Sequence, residues 1–207
     1  MSKAQPIIGK GRNVFADPVA AFSAGRFGML LLLLSLGMLF AASVLGYVIL
    51  RLQAAGELDA VPALPRGLWI STLLLVASSG TIHVALVSAR GGAQWMLRSM
   101  LALSMLLGAA FLVSQLLCWQ QLMTQHRAIW EQVADLPRFM IASFYVMTAV
   151  HAAHVVGGLI PLSVVTWRAF KGKYDASNHA GVYYCGMYWH FLDGVWIVLF
   201  VTLLLGT

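Results

Sequence analysis

The chain has 207 residues, 60% of them hydrophobic and 10% charged, with 13 Lys and Arg against 7 Asp and Glu and a formal net charge of +6; its mean hydropathy is +0.83. So apolar a composition excludes a soluble globular domain, in which about a quarter of residues are charged. A basic excess on so few charges points to membrane topology and anionic lipid, and away from nucleic acid.

Residues 1–26 carry Lys3, Lys10, Arg12 and Arg26 among Pro6, Gly9, Gly11 and Pro18, a pattern that predicts an extended cytoplasmic N-terminal arm. Crossing a hydrocarbon core of about 30 Å takes roughly 20 apolar residues as a helix. Five stretches qualify, at about 27–50, 68–89, 99–119, 139–167 and 181–206, and together they predict a five-helix transmembrane domain over 27–207. The first run is too long for a signal h-region and no small-residue cleavage site follows it, so it is expected to be retained. Pro62 and Pro65 interrupt the loop from Arg51 to Gly67 just before the second span, as helix-stopping residues would. Ser88-Ala89-Arg90-Gly91-Gly92 reads as a tight turn that makes spans two and three an antiparallel hairpin. The outer loop from Gln120 to Arg138 has room for a short surface helix, with Pro137 at the restart of span four. There is no internal repeat of the kind that marks many transporters.

Orientation follows from the basic residues. With the N-terminus inside, Lys3, Lys10, Arg12, Arg26, Arg90, Arg98, Arg168, Lys171 and Lys173 are cytoplasmic. Arg51, Arg66, Arg127 and Arg138 lie outside beside Glu57, Asp59, Glu131 and Asp135. That asymmetry predicts an all-α bundle with N-in, C-out topology. Cys118 and Cys185 fall in or at the edge of spans, where cysteine serves as a small apolar side chain, so neither a disulfide nor a metal thiolate is expected.

Small and polar residues recur at helical spacing: Thr72, Ser79 and His83 in span two; Ser104, Gly108, Gln115 and Trp119 in span three; Ser143, Met147, His151, His154, Gly158 and Pro161 in span four. Such faces pack helices together in lipid. The last span holds His190 and Asp193 three residues apart, on one face of a helix. A charge-capable pair at that depth marks a functional site by default. His154 is fourteen residues before Arg168, and Asp193 fourteen after His179, so both sit about 21 Å from the cytoplasmic surface. The structural reading is an interhelical polar lock of His151, His154, His190 and Asp193, with His154 bonded to Asp193 or His190.

Two other readings stay open. His83, His151, His154 and His190 are candidate ligands for haem iron or a dinuclear metal centre. Against this, His151 and His154 on one helix cannot clamp a ring from opposite sides, and Asp193 is the one acid in the spans. Asp193 is also a candidate proton relay, with Gln115, His83 and serines as partners. Separately, Arg168, Lys171 and Lys173, with His179 beyond them, read either as positive-inside signal or as a headgroup site for an anionic phospholipid.

The motifs resemble subunit III of the haem-copper terminal oxidases, from Arg26 almost to the C-terminus. Tyr188-Trp189-His190-Phe191-Leu192-Asp193 with Val195-Trp196 is similar to that family's last helix, and Ser143 to Gly158, with Thr148, His151, His154 and Val155, to the one before it. Leu64-Pro65, Leu68-Trp69, Thr72, Ser78-Ser79, Gly108, Phe111 and Gln115 resemble the preceding hairpin, and Arg26-Phe27-Gly28-Met29 with Phe40 the first helix that all members share. The resemblance is to the short five-helix form, which lacks the first two helices of the longer one. It implies a non-catalytic accessory subunit of a proton-pumping oxidase in a bacterial inner membrane. Haem and copper are then expected in a partner catalytic subunit I, with subunit II in the same complex, and none in this chain. It also implies bound phospholipid, at Arg168, Lys171, Lys173 and His179, support of proton uptake, and protection against turnover inactivation. Two departures stand out: Leu36 and Tyr183 occupy positions where the family commonly has acids, so roles tied to those carboxylates do not transfer. Alternatives are a related subunit of a nitric oxide reductase and, from another class, a haem b electron-transfer membrane protein.

Overall fold

The computed structural model describes residues 18–53, 65–129 and 135–205. Lys3, Pro6, Gly9, Lys10, Gly11 and Arg12 of the expected arm, and Glu57, Asp59, Pro62, Leu64 and Glu131 of the loops, lie outside them. Within them the chain forms five helices and no strand: α1 (Pro18–Gln53), α2 (Gly67–Arg90), α3 (Gln94–Ile129), α4 (Asp135–Phe170) and α5 (Ala180–Leu204). All five are long and apolar enough to cross a membrane.

Two boundaries differ from the sequence reading. Residues 18–26, expected to be part of an extended arm, are helical, because proline is well tolerated in a helix's first turn, where its missing N–H has no partner to lose. In the outer loop, α3 simply continues to Ile129 instead of stopping near Trp119, since nothing from Gln120 to Ile129 is Gly or Pro.

Helices α2 and α4 end alike. At the first, Ala93 N–H reaches Ser88 O at 2.9 Å and Gly92 N–H reaches Ala89 O; at the second, Lys173 N–H reaches Arg168 O at 3.1 Å and Gly172 N–H reaches Ala169 O. These paired bonds turn the chain through a left-handed residue, here Gly92 (φ 72°) and Gly172 (φ 67°). The two turns share one end of the bundle: Gln94 Nε2 donates to Tyr174 O at 2.8 Å and Arg98 Nε to Ala169 O at 3.1 Å.

Helix α5 packs against α1, α2 and α4, α3 joins α2 to α4, and α1 touches only α4 and α5. Trp189, Trp196 and Phe111 fill the middle, each 1% exposed or less. Lipid gives helices no hydrophobic reason to associate, so close contact has to come from small residues. Gly108 and Gly158 provide it: an added Cβ would lie 2.7 Å from Trp189 Cζ2 at the first and 2.9 Å from Tyr188 Cε1 at the second.

Candidate functional site

The polar side chains inside the bundle are organised by α2. Ser71 and Ser78, both fully buried, lie two turns apart on one face. Ser71 Oγ pairs with Ser114 Oγ at 2.8 Å. Ser78 Oγ donates to Ser104 O at 3.2 Å and accepts from Trp189 Nε1 at 3.0 Å. Thr81 Oγ1 and Ser104 Oγ lie 2.7 Å apart. Toward α5, Thr72 Oγ1 accepts from Trp196 Nε1 at 3.0 Å, and Ser79 Oγ is 2.7 Å from His190 Nδ1. A hydroxyl in hydrocarbon has no water to turn to, so it bonds its own preceding carbonyl or a neighbouring helix. The sequence reading named Thr72, Ser79 and Ser104 as inward-facing and Ser78 through the family resemblance, but missed Ser71 and Ser114. The signal lay in the seven-residue interval from Ser71 to Ser78, which keeps both on the side facing α3.

The expected lock is rearranged. His154 Nδ1 bonds Val150 O of its own helix at 2.7 Å, and His190 bonds Ser79. His151, 1% exposed, and Asp193, 4% exposed, have no partner in hydrogen-bond geometry, although the Ser79 hydroxyl lies beside the Asp193 carboxyl. No bond therefore joins His154 to Asp193 or His190. The reason is angular: Asp193 lies three residues after His190, on the side of α5 that meets α2, whereas the side meeting α4 carries Tyr188. It is Tyr188 that bridges, donating to His154 O at 3.2 Å. The α4 histidines are held by rings: Phe40 of α1 packs edge-on against His154 and His151, with centroids 5.3 and 6.1 Å away, and Trp196 lies 5.4 Å from His151. Of the other expected inward residues, Gln115 is buried, while His83 and Pro161 lie on the outer surface.

Among the described residues no group of three or more His, Cys, Asp or Glu side chains comes together as a metal site would require. Cys118 and Cys185 are separate and buried. His83 and His190 approach one another, ring centroids 6.2 Å apart.

The basic cluster surrounds the turn from α4 to α5. Arg168 closes the last turn of α4, Lys171 Nζ sits 5.6 Å from the Trp167 ring centroid, and Lys171 and Lys173 are exposed. His179 precedes α5, its Nδ1 donating to Ala176 O at 3.0 Å. Arg98, which the sequence reading used only for topology, joins this group through its bond to Ala169 O, a cation on the negative end of α4. Asp175 is the single acid of the turn. Its Oδ1 accepts from Ser177 Oγ at 2.6 Å and from the Ser177 and Asn178 N–H groups at 2.8 Å, and these bonds hold its carboxyl below the usual carboxylate range.

Residues 16–206 match the family model described as cytochrome c oxidase subunit III. The chain belongs to that family. It is 34% identical over 134 residues, 65% of its length, to cytochrome c oxidase subunit 3 of Corynebacterium diphtheriae, and the match spans 62% of that longer protein. It is 31% identical to cytochrome c oxidase subunit 3 of Thermostichus vulcanus, covering 87% of this chain and 86% of that one. To cytochrome bo(3) ubiquinol oxidase subunit 3 of Pseudomonas aeruginosa it is 30% identical, covering 86% and 83%.

Leu36 and Tyr183, the positions at which the resemblance leads to acids, lie on α1 and α5. Leu36 is half-buried. Tyr183 lies against Phe22 of α1, centroids 5.4 Å apart, and the adjacent Tyr184 donates to Phe22 O at 2.8 Å. Gly25 makes the approach possible, since a Cβ there would sit 2.5 Å from the Tyr184 hydroxyl. An aromatic pair thus fixes the start of α1 to the start of α5.

Proposed function

We propose that this subunit III is the non-catalytic accessory chain of a proton-pumping haem-copper terminal oxidase, in which a partner catalytic subunit holds the haem and copper and reduces O2 to water. The family match over 16–206 carries this reading. The internal geometry supports it, because the buried hydroxyls and indoles are spent on holding helices together. Large apolar side chains cover much of the outside, especially of α1, where Leu34, Met38, Leu45 and Leu52 are more than half exposed. Such a surface suits lipid and a neighbouring subunit, and the chain's work is then to steady the catalytic subunit.

In this reading the membrane is the bacterial cytoplasmic membrane, and the basic excess puts the N-terminus and the α2–α3 and α4–α5 turns inside. Arg168, Lys171, Lys173 and His179, with Arg98 behind them, hold the headgroup of an anionic phospholipid. The test is optical. The subunit stripped from its complex should show no Soret absorbance while the remaining complex keeps all of it; a Soret band that stays with the isolated subunit would end the proposal.

A further inference from the structure

The outer face of α5 is the floor of a groove. Helix α1 stands on one side of it and α2 on the other, and the two make no contact with each other. On the α1 side the groove deepens into a cleft of about 680 Å³ lined by Gly37, Ala41 and Val48 of α1 and by His190, Gly194 and Val198 of α5. On the α2 side its rim carries His83 and Gly80, both exposed. A Cβ at Gly80 or Gly194 would meet nothing within 4 Å.

This groove combines apolar walls with polar atoms at a depth where lipid supplies none. His83 is seven residues from the end of α2 and His190 ten from the start of α5, placing them about 10 and 15 Å in from the same face of the bundle. His190 spends Nδ1 on Ser79, which leaves Nε2. Among the described residues no hydrogen bond reaches His83, whose neighbour is the His190 ring. An acyl chain would fill the apolar cleft yet leave these nitrogens without partners, a cost that chains in hydrocarbon avoid by bonding to protein. The open glycines on both walls admit close approach of another backbone.

We infer that the groove between α1 and α2 seats a membrane-spanning helix of the catalytic subunit, and that this helix carries a hydrogen-bonding side chain level with His83 and His190. The inference rests on the accessory-subunit reading and adds to it the face, the depth and the chemistry of the contact.

The test uses the assembled complex in native membranes. A photoreactive p-benzoylphenylalanine replaces Val76, two turns from His83, or Val198 of the cleft; Leu106 or Val113 on the outer side of α3 serves as control. Irradiation should couple the groove positions to one membrane-spanning segment of the catalytic subunit, mapped by peptide mass spectrometry and bearing a polar residue about two turns from the adduct, toward the end of the bundle that holds the α2–α3 turn, while the controls couple to lipid. His83→Phe should cut the Val76 adduct about threefold to tenfold, the worth of one interhelical hydrogen bond, and His83→Gln should restore it. Groove positions that label only lipid, or another copy of this chain, while the catalytic subunit still co-purifies would overturn the inference and leave the accessory role standing. So would an adduct yield unaffected by His83→Phe. If no catalytic subunit co-purifies with the unmodified chain, both fall.

Discussion

Trp189 donates its indole N–H to Ser78 Oγ at 3.0 Å, and the far edge of the same ring lies over Gly108, in the space a Cβ would occupy. One side chain thereby ties α5 to α2 by a directed bond and to α3 by shape. Gly108→Ala should destabilise the subunit by about 1–3 kcal/mol through overpacking, more than the roughly 1 kcal/mol that alanine contributes as a better helix former. Ser78→Ala should cost about 1 kcal/mol by stranding the indole. Thermal unfolding of the complex in detergent, followed by release of this subunit, measures both.

Asp193 gives a sharper contrast. Its carboxyl is buried with the Ser79 hydroxyl, already engaged by His190, beside it, so Asp193→Asn, which keeps an acceptor oxygen there, should leave stability within about 0.5 kcal/mol of the parent. Ser79→Ala, which takes the partner from His190 Nδ1, should cost about 0.6–1 kcal/mol. The same melting measurement decides, and the opposite ranking would restore Asp193 as a member of a polar lock.

Acid should loosen the turn between α4 and α5. Asp175 keeps its carboxyl below the ordinary carboxylate range because Ser177 and Asn178 donate to it. A folded-state pKa depressed in this way contributes stabilisation that is full above the unfolded value, near pH 3.9, and is lost as pH falls through the folded value. The Ser177 amide, whose acceptor is the carboxylate, should therefore be protected from hydrogen exchange at neutral pH and lose protection below about pH 4. In Asp175→Ala it should be unprotected throughout, whereas the Asn178 amide keeps the main-chain carbonyl of that position as acceptor.

Lipid retention tests the basic cluster. Lys171→Glu with Lys173→Glu replaces two attractive charges by repulsive ones, where each cation near an anionic surface is worth about 1 kcal/mol. Mass spectrometry of lipids retained by the purified complex should show the anionic phospholipid falling several-fold while zwitterionic lipid is unchanged.

The helices were legible from hydropathy because a span must satisfy its backbone internally and cover itself with apolar side chains, a constraint that leaves a long, plain signal in the sequence. Their ends were less so: Pro18 looked like part of an arm yet starts a helix, and α3 outruns the apolar stretch because helix geometry does not stop where lipid does. Within the bundle, spacing correctly grouped Ser104, Gln115 and His151 as buried. It failed at His83, since a polar residue at membrane depth reads as inward-facing unless a neighbouring subunit is considered. The pairing of His154 with Asp193 failed on rotation about α5. Equal depth is readable from residue counts, but the 100° per residue that turns Asp193 toward α2 matters only once the neighbours are known.

The most direct measurement is affinity purification of the tagged full-length chain from its own membranes, with quantitative mass spectrometry and an optical spectrum of what accompanies it. The expected result is a one-to-one complex with a large haem-copper catalytic subunit that accounts for all the haem. Recovery of this chain alone and functional, or with iron or copper bound to its own residues, would contradict it.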